Sequence, residues 1–163
     1  MKKIILLFLF LLVLASCNEK KDEQRAKGIS ESQFQYNFKT LKQALDQGYG
    51  LECVYADESG TKIKAFIQGT SVKTMGMEPE DQAYKMLAKG QNMWTWDENK
   101  QVGSLTNLSN LNKDNDITMN GKSIRSSEDV IAVIEANRQS CATKTFSTAE
   151  FKVPANINIV SEE

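Results

Sequence analysis

"LECVYADESGTKIKAFIQGTSVKT", residues 51–74, decides the architecture. Leu51, Cys53 and Tyr55 alternate, Asp57-Glu58-Ser59-Gly60 supplies a turn, and Ile63, Ala65 and Ile67 alternate again. Gly69-Thr70 then turns the chain into a third run with Val72 and Thr74. Apolar residues at every second position line one face of an extended chain. Turns at this spacing join neighbouring strands antiparallel. Downstream, Glu78-Pro79-Glu80-Asp81 breaks the pattern, Ala83–Ala88 resumes it, and Lys89-Gly90-Gln91 turns again. Met93-Trp94-Thr95-Trp96 reads as a strand ending in Asp97-Glu98-Asn99-Lys100, and Val102–Leu105 as the next. The expectation is a curved antiparallel meander, a sheet or partial barrel.

Helical spacing flanks the meander. Phe34, Phe38, Leu41 and Leu45 recur at intervals of four, three and four, which predicts a helix with Ser30 or Ser32 at its start and Gly48 and Gly50 at its end. Ser126 with Asp129 resembles a capping box, and Val130, Ile131, Val133 and Ile134 predict a second helix to about Arg138. Between meander and second helix, Ser104–Asp116 is rich in Asn and Ser and reads as an irregular loop or short 3₁₀ turn. Its single triplet of Leu105, Leu108 and Leu111 is not a repeat array, which needs several stacked copies. After Cys141, Phe146, Phe151, Val153, Ile157 and Ile159 suggest one or two closing strands, with Pro154 at an edge or bend. The fold class expected is α+β: a curved antiparallel β-meander (half-barrel) covered by two helices and tied by one disulfide.

The N-terminus gives an address. Lys2 and Lys3 precede eleven apolar residues, Ile4–Leu14. At about 1.5 Å each these cannot cross a hydrocarbon core of roughly 30 Å, so they read as the core of a signal peptide. Leu14-Ala15-Ser16-Cys17 resembles the lipobox of bacterial lipoprotein signal peptides, in which cleavage precedes the cysteine and its sulfur carries a diacylglycerol. The resemblance implies residues 1–16 as leader, 17–30 as lipidated N-terminus and flexible tether, and 31–163 as a single α+β domain. Taking 16 leader residues from 163 leaves 147, enough for one proper core. Removing Lys2 and Lys3 leaves 18 basic against 21 acidic residues, a net charge near −3, with no basic cluster to hold nucleic acid. Cys53 and Cys141 remain; in an exported chain they are expected to form a disulfide, the alternative being two buried free thiols. Such a bridge closes a loop of nearly ninety residues, which the chain-entropy picture values at roughly 4–5 kcal/mol.

Several chemistries are excluded or weak. With no histidine there is no Ser-His or Cys-His nucleophile pair, imidazole base or imidazole metal ligand. Gly121-Lys122-Ser123 resembles the tail of a phosphate loop, but the position needing the first glycine is Asp116. Asp116, Thr118 and Asn120 imitate half a calcium loop whose twelfth position is Ser127, not Glu. Met75, Met77, Met86 and Met93 suit a Cu(I) site, an adaptable ligand surface or simply core. Trp94 and Trp96 share one strand face and are either buried against a helix or line an apolar cavity. Glu78, Glu80 and Asp81 flank a proline in a loop, with nothing to mark an acid/base pair. No cofactor, metal or catalytic residue is expected, and no enzyme.

One helix, then "CVYADESGTKIKAFIQGTSVKT", "KGQNMWTWDENKQVGSL" and "CATKTFSTAEFKVPANINI" resemble the half-barrel of the bacterial lipoprotein carriers, the LolA/LolB-like superfamily. The resemblance covers roughly 34–105 and 141–160. It implies an apolar cavity able to take acyl chains, which Phe66, Met86, Met93, Trp94 and Trp96 could supply, and it carries over no catalytic residue. The function expected is an envelope lipoprotein, held to the membrane through Cys17, that binds an apolar small molecule or lipid in the concavity of the sheet. The alternative is a protein-interaction or structural module with a filled core, whose partner is another envelope protein. Asn18, where Asp would signal retention in enteric-type envelopes, leans toward the outer membrane.

Overall fold

The computed structural model describes residues 38–112 and 115–161. The leader, Cys17, the tether, Phe34 and the two serines proposed as caps lie outside them. Helix α1 (Leu41–Asp46) leads into six strands, β1 (Leu51–Ala56), β2 (Lys62–Gln68), β3 (Ser71–Gly76), β4 (Tyr84–Lys89), β5 (Asn92–Asp97) and β6 (Val102–Asn107). Each pairs antiparallel with the next, as the alternation requires. A 3₁₀ turn, Leu108–Asn110, and a small hairpin of β7 (Thr118–Met119) and β8 (Lys122–Ser123) precede helix α2 (Ser127–Asn137). The chain closes with β9 (Arg138–Thr143) and β10 (Asn158–Ser161). β9 pairs antiparallel with β1 and β10 pairs parallel with β6, so the eight strands run β10-β6-β5-β4-β3-β2-β1-β9. The sheet is curved and not closed.

Local chemistry explains most element ends. Thr40 is extended and its side chain accepts from Gln43 N, so α1 begins at Leu41. Ser126 caps α2 by accepting from Asp129 N, while the Asp129 carboxylate takes the Arg125 N–H, the capping box read from the sequence. Asn120 and Gly121 both adopt positive φ, the turn that joins β7 and β8. An Asn-Gly pair is a strong hairpin signal, and here it turns a stretch read as a polar turn into a second small sheet. Strand β6 runs two residues past the expected Leu105, because β5 begins at Asn92 and that residue pairs with Asn107 at the far end of the β5–β6 ladder.

Register divides the residues between two faces. Leu51, Cys53, Tyr55, Ala65, Ile67, Val72, Ala88 and Met93 share one face and are buried there. Leu41 and Ala44 of α1, Val130, Val133 and Ile134 of α2, and Leu108 and Ile124 cover them in one cluster. Full burial of side chains this size contributes about 1.5–3 kcal/mol each. Helix α2 is pinned over this face where Ser127 N donates to Gly90 O and its hydroxyl accepts from Gly90 N. On the same face Cys53 lies directly opposite Cys141 and the two form a disulfide joining β1 to the edge strand β9.

The opposite face carries Phe66, Lys73, Leu87, Trp94, Trp96 and Gly103. Of the one or two closing strands expected after Cys141, one forms, β10 with Ile159. Residues 144–157 pass from the β9 edge to the β10 edge as a strap across this face. Phe146 packs edge-on against Phe66 of β2 and against Phe151, Glu150 reaches Lys73 of β3 at 2.9 Å, and Ile157 is buried with Leu87 and Trp96. The strap has no strand period because it crosses the strands instead of joining them.

Candidate functional site

The five residues named for an apolar cavity do not converge. Met86 and Met93 lie on the helix-covered face, packed in the main core. Phe66, Trp94 and Trp96 lie on the other side of the sheet beneath the strap. Trp96 is 2% exposed and Trp94 half-buried, so the tryptophans meet neither a helix nor an open cavity but the C-terminal segment. Trp96 Nε1 is buried with no acceptor among the described residues. The methionines are likewise divided: Met75 points to the strap side, Met86 and Met93 to the helix side, and Met77 is exposed. Among the described residues no group of three His, Cys, Asp or Glu could hold a metal ion.

The polar residues that imitate ligand loops have structural partners. Asp116 pairs with Arg125 at 2.7 Å and accepts from the Ser123 hydroxyl. Asp57 is held below the ordinary aspartate range by the Ser59 hydroxyl, and by the backbone N–H groups of Thr61, Ser59 and Gly60, outweighing a small desolvation. Glu58 accepts from Gly121 N and Asn120 donates to Ala56 O, so the β7–β8 hairpin is docked on the β1–β2 turn. Beneath that contact Tyr55 is buried, and burial with the nearby Asp57 charge pushes its hydroxyl up to about 12. Glu78, Glu80 and Asp81 are all exposed in the turn before β4.

An open concavity with an apolar floor lies elsewhere, between the helices. A groove of about 460 Å³ runs between α1, α2 and the Gly69-Thr70 turn. Leu45, Ile131 and Ala132 form its apolar floor, and Lys42, Asp46, Glu128 and Glu135 stand around it. Its volume falls in the range of small-molecule sites. Asp46 is paired with Lys42 at 2.8 Å. Glu135 accepts from Leu41 N and pairs with Arg138 at 3.2 Å, fixing the angle between the helices. Among the described residues no cation pairs with Glu128.

Residues 1–18 match the family described as prokaryotic membrane lipoprotein lipid attachment site, a stretch that contains Cys17. The chain is a lipid-anchored bacterial envelope protein. No curated protein matches this lipoprotein. Among its described residues no helix is long and apolar enough to cross a membrane.

Sequence reasoning missed the groove of this lipoprotein, although a signal exists. Helix α2 carries two stripes at helical spacing: Ser127, Val130, Val133 and Ile134 face the sheet, while Glu128, Ile131, Ala132 and Glu135 face α1. The sequence reading used Val130, Ile131, Val133 and Ile134 to place the helix; their width around it, with acids a turn away at both ends, marks a second surface. The strap left no periodic signal at all.

Proposed function

We propose that the lipoprotein is a non-catalytic interaction module of the envelope, anchored by acyl chains on Cys17, with a filled core in place of a lipid-carrying cavity. The strap carries this reading. Among the described residues, helices cover one sheet face and residues 144–157 cover the other, which supports a filled core over an acyl-chain concavity like that of the LolA/LolB-like carriers. Three of the five exposed large apolar side chains among the described residues, Tyr84, Val102 and Val160, share one corner of the helix-side face near the β10 edge. Large apolar groups gathered on a surface favour contact with another protein.

The test has two parts on the full acylated chain. Photo-cross-linkers at Tyr84, Val102 and Val160 in living cells should yield one discrete adduct, absent when the cross-linker sits at Lys62. Native mass spectrometry should find no phospholipid retained after detergent exchange. Retained phospholipid, lost on substituting Phe66 or Trp94, would overturn the filled-core reading in favour of a carrier.

A further inference from the structure

We infer that the groove between α1 and α2 is a binding site for a small amphiphilic cation, one with an apolar body and an ammonium head. This goes beyond the interaction-module reading and stands or falls separately from it, because the groove and the β10 corner share no residue. Three observations carry it.

First, the groove is built on secondary structure. Its α2 wall is a continuous stripe, Glu128, Ile131, Ala132 and Glu135, and its α1 wall is Lys42, Leu45 and Asp46. Glu135 bridges the helices by accepting from Leu41 N, so the walls are held at their separation before any ligand arrives. A preformed site avoids the ordering penalty of an induced one.

Second, the floor is unusually apolar for a surface. Ile131 and Leu45 are only partly buried, each packed on one side against the core and open on the other to the groove. An apolar lining with a few polar groups at its margin is the composition of small-molecule sites.

Third, the charge at the margin has one sign in excess. Three carboxylates face one ammonium; Lys42 neutralises Asp46, and Arg138, outside the groove, neutralises Glu135. Glu128 accepts from the Ser127 hydroxyl at 3.2 Å but has no basic partner among the described residues, and it stands one turn from Ile131 and Ala132, where a cationic head would sit with its apolar body on the floor. An anionic head would meet repulsion at the same place.

The experiment uses the full acylated lipoprotein in phosphatidylcholine nanodiscs, with empty nanodiscs as blank. Two probes share one apolar body: 4-phenylbutylammonium and 4-phenylbutanoate. Saturation-transfer NMR should show the ammonium bound, with a preference over the carboxylate of about two- to fivefold, the range of exposed ion pairs. Ala132→Trp, at an exposed position, should fill the groove and abolish the signal, and Glu128→Lys should remove or reverse the preference. Ala132→Trp should keep the wild-type melting temperature, and Glu128→Lys, which sets a cation in the first turn of α2, should lower it only slightly. Equal or stronger carboxylate binding, no binding of either probe, or a signal that survives Ala132→Trp overturns the proposal.

Discussion

Gly103 lies directly opposite Trp96 on the β5–β6 ladder, and a Cβ at 103 would stand 2.5 Å from the backbone Thr95 O and 2.7 Å from both the Trp96 Cβ and the Ile159 Cδ1. The missing side chain lets the indole and the β10 residue close over the strand together. Gly103→Ala should therefore destabilise the fold by about 1–3 kcal/mol, the usual penalty of overpacking. Chemical denaturation of the two proteins side by side measures it; an unchanged midpoint would mean that β5 and β6 shift apart without cost.

The strap makes a second prediction. Phe151 packs with Phe146 on one side and the Trp96 cluster on the other. Phe151→Ala should cost about 2–3 kcal/mol, below the loss at a fully buried site because the ring is half-exposed. Trp94 and Trp96 are the chain's two tryptophans, so water reaching them should shift the emission to longer wavelength. An unaltered spectrum together with unaltered stability would show that the strap does not seal this face.

The disulfide predicts a redox dependence of stability. Cys53 and Cys141 are 88 residues apart, and replacing both with Ala should cost up to about 4–5 kcal/mol if unfolded-chain entropy dominates. The edge strand β9 should show it first, as faster amide exchange of Arg138–Thr143. A double variant that melts with the wild type would contradict this.

Glu52 gives a pH dependence. Partial burial raises its pKa, but the Lys144 hydrogen bond and charge, helped by Lys64, lower it more, so it titrates below the ordinary value of 4.5. Its contribution is thus complete above the unfolded-state pKa and disappears as the pH falls through the lower folded-state one. The stability difference between wild type and Glu52→Gln should be flat from neutral pH to about 4.5 and shrink below it. Because Lys144 is about half exposed, that difference should stay under about 1 kcal/mol. A gap that widens on acidification would reverse the assignment.

What the sequence determined by itself is local. The alternation of Leu51, Cys53 and Tyr55 with Ile63, Ala65 and Ile67, the Gly turns, and the Ser126–Asp129 cap each act over a few residues, and the meander and α2 follow from them. The lipid attachment site is equally local, and the cysteine pairing followed from the compartment it implies. Tertiary structure decided the rest. Periodicity says that Trp94 and Trp96 share a face and that Met93 faces the other way, but not what covers each side. Residues 144–157 have no period because their contacts run across strands, to Phe66, Lys73 and Leu87 in turn, and a segment stabilised by such distant partners leaves no pattern of its own. The parallel pairing of β10 with β6 depends on where that strap delivers the chain. The groove depends on the distance between two helices separated by most of the sheet in sequence, which no local spacing encodes.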